Sequence, residues 1–163
     1  MSIKKEAAYH EASHAVLTLN SRFHGLVHEI NLADRGAGEA FISLSRSKCI
    51  ENNKPGNSSA ILDKEVAREF ATILYGGFIG EQIAAERDSS IVPLPECAED
   101  DHTLAAKILT DANLSKKHDR LDKEARETLN ALWKKVDELA NILYLQESVS
   151  AADIYDWYSS TTN

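Results

Sequence analysis

The sequence predicts an α+β fold that is predominantly helical, with one small β-hairpin or sheet and a C-terminal helical bundle. Only three proline and seven glycine residues occur in 163, which suits long helices. Apolar residues recur every three or four positions in several long segments, the spacing of helices. Two short, partly alternating apolar runs flank a turn with two glycines, as strands of a hairpin do. The length is that of one ordinary domain, so we predict a single unit over residues 1–163.

The N-terminal part carries the first helix and the predicted hairpin. Alanine and other apolar residues at helical spacing predict a helix over 3–19. Strands are predicted over 26–33 and 40–45, paired through the turn Asp34-Arg-Gly-Ala-Gly. Residues 51–59 have the composition of a loop, which separates this part from an almost wholly helical remainder.

The remainder is predicted to be a series of helices. A glycine pair is typical of a helix C-terminus, so the helix that begins near Asp63 is expected to end at Gly76-Gly77. The predicted elements, in order, are a helix over 63–75, a short helix over 78–85, a proline-containing loop over 88–98, a helix over 101–112, a long amphipathic helix over 121–143 and a last short helix that Ser150 begins.

The charge excludes some partners. With 26 acidic and 18 basic residues the formal charge is −8, which repels a phosphate backbone and an anionic membrane. We therefore expect no nucleic-acid partner and no membrane partner. No segment resembles a signal peptide or a membrane helix, and two cysteines, Cys49 and Cys97, are too few for a disulfide framework. A cytoplasmic protein with reduced cysteines is predicted.

His10-Glu11-Ala12-Ser13-His14 is an HExxH motif within the first predicted helix. Four residues of helix rotate by about 400°, so His10 and His14 lie one turn apart on one face. Two neutral imidazoles at this spacing can bind one Zn²⁺, and Glu11 beside them can act as the general base for a metal-activated water. The alanines around the motif predict a buried helix, which favours metal ligands over two solvent-facing histidines.

A catalytic zinc site needs a third protein ligand. Position 20 is Asn, which excludes the HExxHxxxxxH arrangement, and the isolated His24, His28 and His118 are expected on the surface or on a sheet face. Acidic residues at a helix N-terminus also complement the helix dipole, so the residues alone leave the third ligand open. The chemically admissible ligands near the start of the 101–112 helix are Cys97, Glu99, Asp100, Asp101 and His102.

Five segments carry a more specific pattern. They are AAYHEASHAVL, VHEINLADRGAGEAFISL, LYGGFIGEQIA, DHTLAAKIL and LDKEARETLNALWKKVDELANILYLQESVSAADI. In this order they resemble the peptidase domain of the FtsH-type ATP-dependent zinc metalloproteases. The first resembles that family's zinc-binding helix, with its HEAGH signature, and the third resembles its LLGGRxAEEL segment. The resemblance implies a zinc-metalloprotease-like domain, which we expect to stand alone without the ATPase module or the membrane anchor.

The resemblance also implies roles for the site residues. His10, His14 and Asp101 would be the zinc ligands, and Glu11 would be the catalytic base. Asp101 follows from the alignment of DHTLAAKIL with the family's Asp-Leu-x-x-Ala-Thr pattern. A shift of that alignment by one residue would make Asp100 the third ligand instead.

Some other positions of this sequence match the family pattern, and some differ from it. Gly76, Gly77 and Glu81 match a family motif, to which we assign a tight turn and helix packing. Ser13 stands where the family has glycine, and serine is the next smallest polar choice, so metal binding is expected to survive. His102 replaces an apolar residue and is expected either beside the third ligand or as a competing ligand.

The implied function is zinc-dependent hydrolysis of peptide bonds. The substrates would be peptides or unfolded proteins, bound as an added strand at the edge of the predicted hairpin. Folded proteins could become substrates after a separate unfoldase has unfolded them. A homo-oligomer is also possible, because an uncovered apolar helix face would favour self-association. Two other hypotheses stay open: a catalytically silent peptide- or protein-binding module that kept the fold, and a metallohydrolase for small amides.

Overall fold

A computed structural model describes residues 5–34, 40–114 and 118–161 and confirms a predominantly helical α+β fold. Short 3₁₀ turns lie at Leu32–Asp34, Ser58–Leu62 and Pro95–Ala98. Within the described ranges, no helix is both long and apolar enough to cross a membrane. The helices and strands are α1 (Lys5–Leu19), β1 (His24–Leu26), β2 (Glu29–Asn31), β3 (Ile42–Leu44), α2 (Arg46–Glu51), α3 (Lys64–Arg87), α4 (Glu99–Asp111), α5 (His118–Ala131), α6 (Trp133–Gln146), β4 (Ser148–Ser150) and α7 (Ala151–Ser160).

Helix α1 is the buried centre of the fold. All of its residues are buried except Lys5, Tyr9 and Leu19. Its alanines make it a thin helix that α3 and α6 contact from different sides. A helix that is buried nearly all round must have its polar side chains paired inside the protein. The histidines and glutamates of α1 therefore need partners on the neighbouring helices.

Helix α3 runs unbroken from Lys64 to Arg87, so the predicted end at the glycine pair is wrong. The glycines instead let α1 lie against α3. A Cβ on Gly76 would overlap the Leu17 side chain, and a Cβ on Gly80 would overlap the Ser13 hydroxyl. Helix packing, rather than a tight turn, therefore explains these glycines.

The predicted pairing of 26–33 with 40–45 as one hairpin is confirmed only at its start, where Leu26 lies opposite Ile42 in an antiparallel pair; a single strand over 26–33 is wrong. His28 has a φ of 60°, a left-handed conformation that interrupts the strand. Before this break β1 pairs with β3, with Gly25 opposite Ser43. After it β2 pairs with β4, with Ile30 opposite Val149. Most of the predicted turn, residues 35–38, lies outside the described residues.

The long C-terminal helix predicted over 121–143 is two helices. The chain leaves helical geometry at Leu132 (φ −105°), so α5 packs on α3 and α6 packs on α1. Helix α7 begins as predicted, because the Ser150 side chain accepts a hydrogen bond from the Asp153 backbone N–H. Of the seven apolar positions that predicted the long helix, Leu132 at the break is half-buried. The other six are buried: Leu121, Ala125, Leu129, Val136, Leu139 and Leu143.

Asp63 caps the N-terminus of α3. Its Oδ1 accepts hydrogen bonds from the backbone N–H groups of Glu65 (2.9 Å) and Val66 (3.2 Å), and its Oδ2 accepts one from Lys54 Nζ (2.9 Å). Partial burial raises the pKa of this carboxyl, but the bonds from Lys54 and the two N–H groups outweigh burial and hold the pKa below its ordinary value. The cap is therefore an ionised carboxylate at neutral pH.

We expect Asp63→Ala to lower the free energy of unfolding by about 1 kcal/mol at neutral pH, because the cap is lost. Since folding lowers the pKa of Asp63, its charge stabilises the fold above the ordinary aspartate pKa of about 4 and ceases to do so as the pH falls below it. Urea unfolding at about pH 7 and about pH 3 measures this dependence. Asp63→Asn, which keeps the capping oxygen, is the control. An equal loss at both pH values in Asp63→Ala would contradict the expectation.

Candidate metal centre

His10, His14 and Asp101 meet in the interior, where α1, α3 and α4 pack together. The distance between His10 Nε2 and His14 Nε2 is 3.1 Å. Asp101 Oδ2 lies 3.2 Å from His10 Nε2 and 3.0 Å from His14 Nε2. The three atoms form a nearly equilateral triangle. All three side chains are buried, although Asp101 is 87 residues from His14 along the chain.

The second nitrogen of each imidazole fixes its orientation. His10 Nδ1 lies 2.6 Å from Glu81 Oε2, and His14 Nδ1 lies 2.8 Å from the Ile73 carbonyl oxygen. A carboxylate and a carbonyl are acceptors, so each Nδ1 donates its N–H to one of them. In the neutral form that binds a metal, each imidazole therefore turns the lone pair of Nε2 toward the triangle. The other oxygen of Glu81, Oε1, accepts a hydrogen bond from the Leu94 backbone N–H (3.2 Å). This bond ties the orienting carboxylate to the segment before α4.

The electrostatics of the triangle favour a positive charge. Burial lowers the pKa of His10, but hydrogen bonds to Asp101 and Glu81 and the charge of Glu11 outweigh it and raise the pKa to about 9. Burial raises the pKa of Asp101, but the charge of His14 and the bonds to both histidines lower it to about 2. The surrounding carboxylates thus stabilise a cation at this point of the interior.

The three atoms fit a single metal ion. Ligand atoms at about 2.1 Å from one tetrahedral ion lie roughly 3.4 Å apart, a few tenths of an ångström more than the sides of this triangle. The Oδ1 of Asp101 is buried and has no hydrogen-bond partner among the described residues. Buried polar atoms are rarely left unsatisfied, and a cation between the three side chains would offset that cost. His10, His14 and Asp101 can therefore hold a metal ion.

Glu11 lies beside the triangle without being part of it. Its side chain is buried, and its Oε1 is 3.8 Å from His10 Nε2. A carboxylate at this distance is close enough to exchange a proton with a water bound next to the ligand atoms.

The structure separates the candidates for the third ligand. Asp101 faces the two histidines, whereas Glu99 and Asp100 are exposed. His102 is half-buried and packs against Tyr75, with ring centroids 5.0 Å apart. Cys97 is half-buried and forms no disulfide bond with Cys49. The group that could hold a metal includes neither His102 nor Cys97.

Two residues of α3 have roles that the sequence did not predict. Glu81 orients His10 rather than only packing the helix. Gly77 makes room for the ligands, because a Cβ there would lie 2.5 Å from His14 Nε2 and 2.6 Å from His10 Nε2. A signal for Glu81 exists in the sequence: a single glutamate on an otherwise apolar and glycine-rich helix face requires a buried partner.

No protein-family model matches this chain, and no curated protein matches it either. What the site does is therefore inferred from the chemistry of its residues.

We expect Gly77→Ala to weaken Zn²⁺ affinity by about tenfold or more, because the added methyl group displaces both imidazoles from the triangle. Gly76→Ala is the matched comparison: it adds the same methyl group one residue earlier in the same helix contact, where it overlaps the end of the Leu17 side chain and approaches Leu129 instead of the imidazoles, so its effect on affinity should be smaller. Competition with a chromophoric chelator measures the affinity, and circular dichroism checks the fold. Equal affinities of the two variants would contradict a ligand-spacing role for Gly77.

We expect Glu81→Gln to lower Zn²⁺ affinity by about 10- to 100-fold. A glutamine amide has one acceptor oxygen, so it cannot accept from both His10 Nδ1 and the Leu94 N–H as the carboxylate does. The same chelator competition measures this loss. Glu86→Gln removes the same charge from an exposed position of α3 and should leave the affinity unchanged. An unchanged affinity in Glu81→Gln would show that His10 does not need this partner.

Proposed function

We propose that this protein is a zinc-dependent metallopeptidase in which His10, His14 and Asp101 hold the ion and Glu11 is the general base. The observation that carries the proposal is the triangle of three ligand atoms with the Glu11 carboxylate 3.8 Å from His10 Nε2. Two imidazole nitrogens and one carboxylate oxygen form a donor set that catalytic zinc sites use, with a fourth position left for water or substrate. The five FtsH-like segments of the sequence support the same function.

Each residue of the site has a part in hydrolysis. Bound Zn²⁺ supplies a water of lowered pKa and polarises a carbonyl oxygen. Glu11 takes the proton of the attacking water and then delivers it to the nitrogen of the leaving amine. Glu81 and the Ile73 carbonyl hold the two imidazoles in the tautomer whose Nε2 lone pairs face the ion.

A free strand edge near the site supports a peptide as substrate. On either side of β3, backbone hydrogen bonds join the chain to the residues that flank β1. Val27 N–H donates to the Phe41 carbonyl oxygen, and Ser45 N–H donates to the Phe23 carbonyl oxygen. Since bonded and non-bonded pairs alternate in an antiparallel ladder, Ile42 and Leu44 direct their N–H and C=O groups away from β1. No other strand of the described residues pairs with β3. An extended peptide can bind such an edge as an added strand.

This edge starts beside the metal ligands. The Phe41 ring, which directly precedes β3, lies 6.3 Å from the His14 ring between centroids. A peptide paired with β3 would therefore pass close to the ion and to Glu11. Peptides and unfolded proteins are the substrates that suit this arrangement. A folded protein would first have to be unfolded and delivered by a separate unfoldase or by a second copy of this chain. A cytoplasmic location remains a prediction.

One observation favours a second candidate, a metallohydrolase for small amides. The ligand side chains and Glu11 are at most 1% exposed. A small amide needs less access than a polypeptide does. The two candidates share the ligands and the base and differ only in the size of the substrate.

We expect Glu11→Gln to keep zinc, because glutamine has the shape of glutamate and the three ligands are unchanged. It should slow hydrolysis of a fluorogenic unfolded protein, such as labelled casein, by about 100-fold or more, because the general base is lost. Elemental analysis of the natively purified protein measures the zinc content, and the fluorescence assay measures turnover.

Asp101→Ala and Asp100→Ala form a matched pair. The first should lose both zinc and activity, and the second, on an exposed neighbour, should keep both.

Unchanged turnover in zinc-loaded Glu11→Gln would exclude Glu11 as the base, and wild-type protein without zinc would exclude the metallopeptidase. Peptide binding without turnover in the wild type would indicate a silent binding module. Turnover of small amides alone would indicate the second candidate.

A further inference from the structure

An apolar cavity of about 310 Å³ lies between β3 and the helices α3 and α4. We propose that this cavity binds a tyrosine side chain of an extended peptide paired with the edge of β3, about three residues from the bond that is cleaved. This inference rests on the proposed peptidase function and names a substrate feature that the metal centre alone does not select. The side chains that line the cavity include His24, Ile42, Leu44, Val66, Phe70 and Ile108.

Two elements lead directly from the metal centre to the cavity. Phe41 lies beside His14, and the next three residues, 42–44, form one wall of the cavity. On α3, the Ile73 carbonyl holds His14, and Phe70, almost one turn earlier, lines the cavity. The cavity thus follows the metal centre along the same strand edge that a peptide would occupy.

Helix α4 sets the distance. Asp101 is at the metal centre, and Ile108, seven residues later on the same face, lines the cavity. Seven residues of α-helix span about 10 Å, and an extended peptide covers about 3.3 Å per residue. A side chain in the cavity therefore belongs to a residue roughly three positions from the scissile bond.

Two polar side chains line the cavity: His24, which is buried, and Ser43, which is half-buried. Of the two predicted locations, the surface or a sheet face, His24 does not lie at the surface: it is part of β1, and its side chain is 1% exposed. Its Nδ1 lies 2.7 Å from Glu69 Oε1. The Glu69 carboxylate is itself held by the backbone N–H groups of Arg22 (2.8 Å) and Phe23 (2.9 Å). The imidazole is therefore anchored on one side.

The other nitrogen of His24 is available to a ligand. The imidazole bonds to Glu69 through Nδ1, and none of the described residues forms a hydrogen bond with Nε2. Phe70 packs against the ring edge-on, with centroids 4.9 Å apart, and offers no polar atom. Nε2 is thus the polar atom that His24 can offer within apolar walls.

Tyrosine matches both properties of the cavity. Its ring suits the apolar walls, and its phenol hydroxyl can both donate and accept a hydrogen bond. It can therefore pair with Nε2 when the imidazole is neutral and accepts, and equally when it is protonated and donates. Phenylalanine would leave Nε2 without a partner, and a charged side chain would lose its hydration among apolar groups.

The test measures binding without cleavage, in full-length zinc-loaded Glu11→Gln protein. The probes are fluorescein-labelled, extended decapeptides that differ only at one central position, which is Tyr, Phe or Ala. Fluorescence anisotropy should show the Tyr peptide binding about tenfold more tightly than the Ala peptide, because an aromatic ring is buried. It should also bind about fivefold more tightly than the Phe peptide, through the added hydrogen bond. Equal affinities, or no binding of any peptide, would overturn the proposal.

Two variants locate the effect in the cavity. His24→Phe should abolish the preference for Tyr over Phe while keeping the affinity for the Phe peptide. Since that change leaves the Glu69 carboxylate without its side-chain partner, a second variant avoids the buried pair. Ile61→Trp, at a half-exposed position of the cavity wall, should weaken binding of the Tyr peptide by about tenfold. Leu62→Trp makes the same change at the next exposed residue, which does not line the cavity, and should have no effect.

Failure of this proposal is distinguishable from failure of the proposed function. A Tyr preference in binding, with no hydrolysis by the wild type, would support the cavity and exclude the peptidase. Hydrolysis with no Tyr preference would exclude the cavity and keep the peptidase. If both are correct, mass spectrometry of wild-type digests should find cleavage about three residues from tyrosine, and random spacing would contradict the assignment of the cavity.

Discussion

The close contact between α1 and α3 is the constraint on which the rest of the structure depends. Glycines on α3 let the two helices approach each other, and Gly77 lies against both candidate ligand histidines. This contact brings the Glu81 carboxylate and the Ile73 carbonyl within hydrogen-bond distance of the two imidazoles. The helix contact that forms the core therefore also orients the ligands.

This arrangement places unusual charge in the core. Glu11, Glu81 and Asp101 are all buried around two imidazoles, and burial of carboxylates is costly unless they are paired or bound to a cation. The high pKa of His10 and the low pKa of Asp101 both reflect an interior that stabilises positive charge. A divalent cation offsets more of this negative charge than one proton can, which gives a physical reason for a metal at this place.

The same three elements lead from the candidate metal centre to the apolar cavity. The segment from Phe41 through β3, together with α3 and α4, carries residues of the metal centre at one end and walls of the apolar cavity at the other. Because helices and strands are rigid over this distance, the fold sets the spacing between the triangle of ligand atoms and the cavity. His24 and its partner Glu69 add one polar atom to the cavity without adding an uncompensated charge.

The sequence by itself determined the features that depend on residues close together in the chain. These are the HExxH helix, the cap at Ser150 and the amphipathic faces of α5 and α6. They follow from helical geometry, which brings residues three or four apart onto one face. The sequence proposed Asp101 only through a resemblance. Only the tertiary structure decided that Asp101 rather than Asp100 meets the histidines, that Glu81 orients His10, and that β2 pairs with β4 instead of with β3. The glycine pair failed as a helix end for the same reason. These outcomes depend on contacts between segments far apart in the sequence, from 59 residues for Gly76 and Leu17 upward, which packing selects and local spacing does not encode.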